Sequence, residues 1–173
     1  LAYFRHENGT VRSPRDACGA PLEATVTCPT GAILTVPWPA NSLELVSGVR
    51  GGTVAYVVSP AVRAVARDFF GCDTLVGAEL ENQPTTEGGS VCWGSHWEER
   101  LSHDSVMSAE LSGTDMSPLT LAWFEDAGWY RANFSAAGAQ PAWGYHAGCA
   151  FATDECLSGG GAAPAALAHP FCN

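Results

Sequence analysis

Seven cysteines are spread over 173 residues, and an odd number cannot close entirely on itself. At most three bridges form inside the chain, so at least one thiol is free or pairs outside it. Cysteine at this density points to an oxidising, secretory compartment. Two N-glycosylation sequons, Asn8-Gly9-Thr10 and Asn133-Phe134-Ser135, point the same way, toward a secreted or cell-surface protein. Spacing does not fix the pairing. Cys18 and Cys28, in a loop-rich stretch, suit a local bridge, and each suits a partner elsewhere equally well.

The covalent constraint acts on a chain able to build a core. Apolar residues make up 46% and charged residues 15%, which excludes a disordered chain. Eight basic residues against eighteen acidic ones disfavour nucleic acid and anionic membrane as partners. No apolar run reaches the ~18 residues that a spanning helix needs. The first residue is Leu1, with no basic segment and apolar run behind it. The chain is therefore expected to start inside a longer gene product.

Proline and glycine punctuate residues 1–50, leaving Ala32–Val36 and Leu43–Val46 as short strand candidates, followed by Thr53–Val58. Ser59-Pro60 then opens a segment closed by Gly71, the capping pattern of a helix. Val62, Val65, Ala66 and Phe69 form its apolar stripe. Ser117-Pro118 and Gly128 bracket a second helix, with Leu119, Ala122, Trp123 and Asp126 on one face. Residues 82–95 read as a loop and 158–168 as a small-residue linker. The residues alone give a disulfide-bonded, loop-rich α+β domain with two short capped helices, near 60–70 and 118–127. Its tryptophans Trp93, Trp97, Trp123, Trp129 and Trp143 are expected in the core rather than as a carbohydrate platform, and Glu98 and Glu99 on a solvated face, with a Glu98 hydrogen bond to a neighbour that orients His96 as the alternative.

No zinc-binding H-E-x-x-H, G-x-S-x-G, phosphate-binding loop or C-x-x-C is present. One stretch stands out: Gly94-Ser95-His96-Trp97-Glu98-Glu99-Arg100, with Met107 eleven residues after His96. A loop-borne histidine followed by a methionine in a turn is a pattern of metzincin zinc proteases. Around it stand Phe70-Gly71-Cys72-Asp73-Thr74-Leu75, Ala78-Glu79-Leu80-Glu81-Asn82-Gln83, Leu119 to Ser135, and Trp143-Gly144-Tyr145-His146-Ala147-Gly148-Cys149-Ala150-Phe151. In order and spacing, over about 56–156, this string resembles the leishmanolysin family, surface zinc metallopeptidases with leishmanolysin-like and invadolysin-like relatives.

The resemblance implies the C-terminal half of a metzincin-type catalytic domain over residues 1–157, with 158–173 beginning a further cysteine-rich region. His96 would be the third zinc ligand and Met107 the Met-turn beneath the metal. Neutral imidazole suits zinc, and three protein ligands leave a position for water. The two other histidines and the general-base glutamate would lie just upstream of Leu1, so no catalytic residue is expected in this chain. It would need the N-terminal part of the same protein as partner before acting on a peptide or protein substrate. The resemblance also implies a Cys72–Cys149 bridge. It sets Cys156 and Cys172 against cysteines further on, or against each other, and leaves Cys92 without a family partner. His103 and His146 match no ligand position. Ser108–Leu111 would line the substrate pocket by analogy. The alternative function is an extracellular structural or adhesion module that kept the scaffold without catalysis.

Overall fold

The computed structural model describes residue 8, residues 16–18, 22–27, 31, 33–37, 42–81, 96–108, 115–138 and 143–155. Strands β1 (Glu23–Thr27) and β2 (Ile33–Pro37) pair antiparallel as a hairpin. β2 matches the apolar run expected there. β1, between two prolines, is not anticipated from that punctuated segment. Strands β3 (Leu43–Val49) and β4 (Gly52–Val57) form a second antiparallel pair, and β5 (Ala78–Glu79) adds to the far side of β4. β4 is thus central. Val54, Ala55, Tyr56 and Val57 are all buried, so both of its faces are covered.

Helix α1 (Pro60–Phe70) follows β4 directly and packs chiefly on α3 (Pro118–Ala127). Both end as their glycines require: Gly71 and Gly128 adopt left-handed backbone (φ 63° and 71°), which costs a side chain-bearing residue more. The N-termini differ. At α3, Ser117 Oγ accepts from the Thr120 N–H at 3.2 Å, as expected of a cap. At α1, Ser59 holds the cap position but its side chain makes no capping bond. Asp126, buried on α3, accepts the Val62 N–H at 2.9 Å through Oδ2. A carboxylate brings charge to the positive end of the helix dipole, so it is a stronger cap than a hydroxyl.

The buried stripe of α1 also differs from the expected one. Val62, Ala66 and Phe70 are fully buried, whereas Val65 and Phe69 are only partly so. Phe70 stacks on Phe151 of α4 (Gly148–Thr153), with ring centroids 6.0 Å apart. That contact turns the last helical turn toward α4. The Cys72–Cys149 disulfide joins the same two elements across 77 residues of sequence. It is the pairing that the family resemblance implied. Short helix α2 (Glu99–Ser102) and a 3₁₀ turn (Phe134–Ala136) complete the described elements.

Three expectations need correction or fall outside these residues. Cys18 carries a free, exposed thiol, so it forms no bridge with Cys28; it sits in a turn whose N–H is held by Asp16 Oδ1 at 2.9 Å. Trp129 is 55% exposed rather than packed in the core, because it lies just beyond the Gly128 stop, where the chain has left α3. The loop at 82–95, the linker at 158–168 and Cys28, Cys92, Trp93, Cys156 and Cys172 lie outside the described residues.

The cap from Asp126 gives a direct prediction. Asp126→Ala should lower unfolding free energy by roughly 1–3 kcal/mol, since it removes a buried charge-assisted bond and orphans the Val62 N–H. Ser59→Ala should cost clearly less. Urea denaturation of both variants checks this, and equal losses would contradict the assignment of the cap.

Candidate functional site

His96, Trp97 and Glu98 form a short extended segment wedged between two neighbours. Trp97 bridges antiparallel to Leu80, just past β5, and parallel to Ser108 on the other side. The Glu81 N–H donates to His96 O at 3.0 Å and the Glu98 N–H to Glu79 O at 3.0 Å. Across the other edge, the Trp97 N–H donates to Met107 O at 2.8 Å. Side chains alternate in extended chain, so Trp97 points one way while His96 and Glu98 share the opposite face. Burial agrees: Trp97 is buried, and His96 and Glu98 are partly exposed.

Trp97 is fixed at its far end too. Its indole Nε1–H donates to Thr120 Oγ1 on α3 at 3.1 Å, and its ring meets Trp123 edge-on at 5.9 Å. Thr120 belongs to a buried hydroxyl group with Ser117 and Ser105. Ser105 in turn shapes the turn under Met107: its Oγ accepts the Met107 N–H at 3.2 Å, and its carbonyl accepts the Ser108 N–H at 2.9 Å. The expected third ligand and the expected Met-turn are therefore adjacent, joined through Trp97.

A buried charge layer lies next to this segment. Glu79, directly before Leu80, is 3% exposed and pairs with Arg50. Arg50 also donates to Ala152 O at 3.2 Å, and Arg100 donates to Phe151 O and Ala152 O at 2.8 and 2.9 Å. Arg50, between β3 and β4, and Arg100, on α2, are thereby both tied to the carbonyl end of α4. Burial pushes the Glu79 carboxyl up, and Arg50 offsets this only in part. Glu98 is pushed up to about 7, first by burial and then by the negative charges of Glu79 and Glu81. Burial, followed by Glu79, also raises the Tyr56 phenol to about 12. Glu98 is therefore only partly solvated, because the sheet edge packs it beside two other carboxylates. Glu99 does face solvent in part and holds His103 Nδ1 at 2.8 Å; His146 stacks on Tyr145 at 4.1 Å. Sequence reading misses Arg50, Glu79, Arg100 and Thr120, since nothing in their local pattern distinguishes a buried charge or hydroxyl from an exposed one.

Among the described residues no group of three His, Cys, Asp or Glu side chains is placed to hold a metal. His96 is the one of them that the family resemblance assigns to a metal, and no metal-dependent step follows from these residues alone. An apolar groove on α1, lined by Phe69, Leu101, Leu119 and Trp143, reaches the underside of the Met107 turn at Ser105, but neither His96 nor Met107 lines it. No described helix is long and apolar enough to cross a membrane. Ser108 is buried against this turn, and residues 109–111 lie outside the described ones.

The sequence profile of the family described as Leishmanolysin matches residues 39–173. A leishmanolysin homolog of Crithidia fasciculata is 42% identical over 116 residues, covering 66% of this chain and 17% of the relative. A leishmanolysin-like peptidase of Drosophila pseudoobscura pseudoobscura is 35% identical over 184 residues, covering 99% and 25% respectively. The leishmanolysin of Leishmania chagasi is 40% identical over 120 residues, covering 68% and 19%. The chain thus spans a quarter or less of the length of these relatives.

The raised Glu98 carboxyl sets a pH dependence. Its ordinary value is 4.5 and its folded value about 7, so the folded state binds more protons between them. Stability must then fall as pH rises through that window. Glu98→Gln removes the titration and should stabilise the metal-free protein by ~1–3 kcal/mol at about pH 8 while changing little near pH 4.5. Denaturant midpoints across that range test it; parallel curves for the two proteins would refute it.

Proposed function

This chain belongs to the leishmanolysin family of metallopeptidases, and from that premise we propose that it is the part of a zinc-dependent metalloendopeptidase carrying the third zinc histidine, His96, and the Met-turn, Met107. The observation that carries this reading is the 2.8 Å bond from the Trp97 N–H to Met107 O. It sets a partly exposed histidine beside a methionine turn, with a buried tryptophan as the rigid link between them.

The work of the chain's own residues is placement. Trp97 is bonded at its backbone and its indole, so His96 is held from one side by β5 and from the other by the turn. A ligand held in advance loses little conformational freedom when a metal binds. Zinc, when bound, would polarise a peptide carbonyl and acidify a water. The remaining two ligands and the general base are assigned to the N-terminal part of the same protein, which is the partner this reading requires. A peptide or protein is the substrate. The Cys72–Cys149 bridge supports an oxidising, extracellular or cell-surface location.

The test uses the full-length protein. His96→Ala should lose most of the bound zinc and, with one ligand of three gone, at least ~10²-fold in peptidase activity. Met107→Leu should keep the metal. Undiminished zinc and activity in His96→Ala would refute the assignment. Wild-type protein that folds but holds no zinc would instead fit a non-catalytic module on the same scaffold.

A further inference from the structure

Four large aromatic side chains close together in sequence are exposed on and just past α3: Phe124 (37%) on the helix, and Trp129 (55%), Tyr130 (64%) and Phe134 (42%) beyond it. Phe124 and Tyr130 touch edge-to-face, with centroids 5.6 Å apart, so they form one surface rather than scattered rings. The backbone under them is firm. The Ala132 N–H is held by Glu125 Oε2 at 2.5 Å, and the Gly138 N–H by Met116 O at 3.1 Å. Contiguous exposed apolar surface on a folded protein usually has an occupant.

The sequon Asn133-Phe134-Ser135 sits in the same segment. Asn133 is exposed and opens the 3₁₀ turn. Its Oδ1 accepts both the Ser135 N–H, at 3.2 Å, and the Ser135 Oγ–H, at 2.7 Å. The carboxamide is thereby held in one orientation, and Nδ2 donates to none of the described residues. Asn133 lies three residues after Tyr130 and directly before Phe134. The other sequon asparagine, Asn8, is exposed as well.

We propose that Asn133 is N-glycosylated and that the first sugars of its glycan cover the aromatic surface of Phe124, Tyr130 and Phe134. Asn133 Nδ2 attacks C1 of a lipid-pyrophosphate-linked oligosaccharide. The C1–Nδ2 bond forms, the C1–O bond to pyrophosphate breaks, the lipid pyrophosphate leaves and one amide proton passes to a base of the transferring enzyme. No electron transfer is involved. Exposure of the turn leaves room for a bulky chain. The C–H faces of the sugar rings pack on aromatic faces while their hydroxyls stay in water, so an apolar patch becomes a solvated one. The Cys72–Cys149 disulfide independently marks a chain that passes through an oxidising compartment, where such transfer occurs. The inference stands whether or not His96 binds zinc.

The experiment takes the full-length protein secreted from a eukaryotic host. Peptide mass spectrometry should find the segment containing Asn133 as a glycopeptide, and amidase treatment should convert Asn133 to Asp. An unmodified Asn133 overturns the proposal. Ser135→Ala removes the sequon, and Ser135→Thr keeps it. The first should bind about twofold more of an apolar fluorescent dye than wild type, and the second should match wild type. The excess should vanish when Phe124→Ser and Tyr130→Ser are added to Ser135→Ala. Amidase treatment of the folded wild-type protein should produce the same rise, which separates loss of the glycan from misfolding of a variant. Dye binding unchanged by either route means that the sugars do not cover these rings, and overturns the covering role.

Discussion

Trp97 is the residue on which the rest of the site depends. It is buried in a segment that would otherwise be a loop, and it is bonded on three sides: to Met107 through its N–H, to Thr120 through its indole, and to Trp123 through its ring. Burying a side chain of this size is worth roughly 2–3 kcal/mol, and each satisfied hydrogen bond about 1 kcal/mol more. The side chains on either side of Trp97 in sequence, His96 and Glu98, are consequently turned to the opposite face. A partly exposed histidine in a fixed position is thus a by-product of a buried tryptophan.

The elements around that segment are tied by polar groups as much as by apolar ones. Asp126 reaches from α3 to cap α1, and Arg50, from the β3–β4 turn, and Arg100, from α2, reach to the carbonyls that end α4. The disulfide closes the remaining side, from the end of α1 to α4. Each of these links satisfies a helix end that the helix cannot satisfy internally, the disulfide excepted. Short helices gain little from propensity, so such external caps decide whether they persist. The cost is a layer of buried charge. Burial first, and then neighbouring carboxylates, raise the proton affinity of Glu79 and Glu98, and the two guanidinium groups only partly compensate.

This arrangement separates two surfaces. On one, the strand edge offers His96 beside the Met107 turn, with the Glu98 carboxyl on the same face. The other lies beyond α3, where the chain leaves the core at Gly128 and lays out aromatic rings and a sequon on a rigid turn. The first holds the metal ligand proposed above, and the second the proposed glycan. α3 connects them, since Thr120 holds Trp97 at its start and Phe124 joins the aromatic surface beyond its middle.

Local signals alone determined much of this. The strands at Ile33–Pro37, Leu43–Val49 and Gly52–Val57, and both glycine-stopped helices, follow from short-range patterns, because steric freedom and apolar periodicity act within a few residues. The order and spacing of the motifs around His96 and Met107 marked the family, and with it the Cys72–Cys149 pairing. Other features required the tertiary structure: that Asp126 rather than Ser59 caps α1, that Phe70 rather than Phe69 completes its buried stripe, that Cys18 is free, that Trp129 is exposed, and that Glu98 is packed among carboxylates. The physical reason is the same in each case. Caps, burial and carboxyl proton affinity are properties of what lies a few ångströms away in space, and these neighbours stand as far off along the chain as Asp126 is from Val62 and Phe151 is from Phe70. A residue type carries its chemistry in the sequence, but only the packed fold supplies its surroundings.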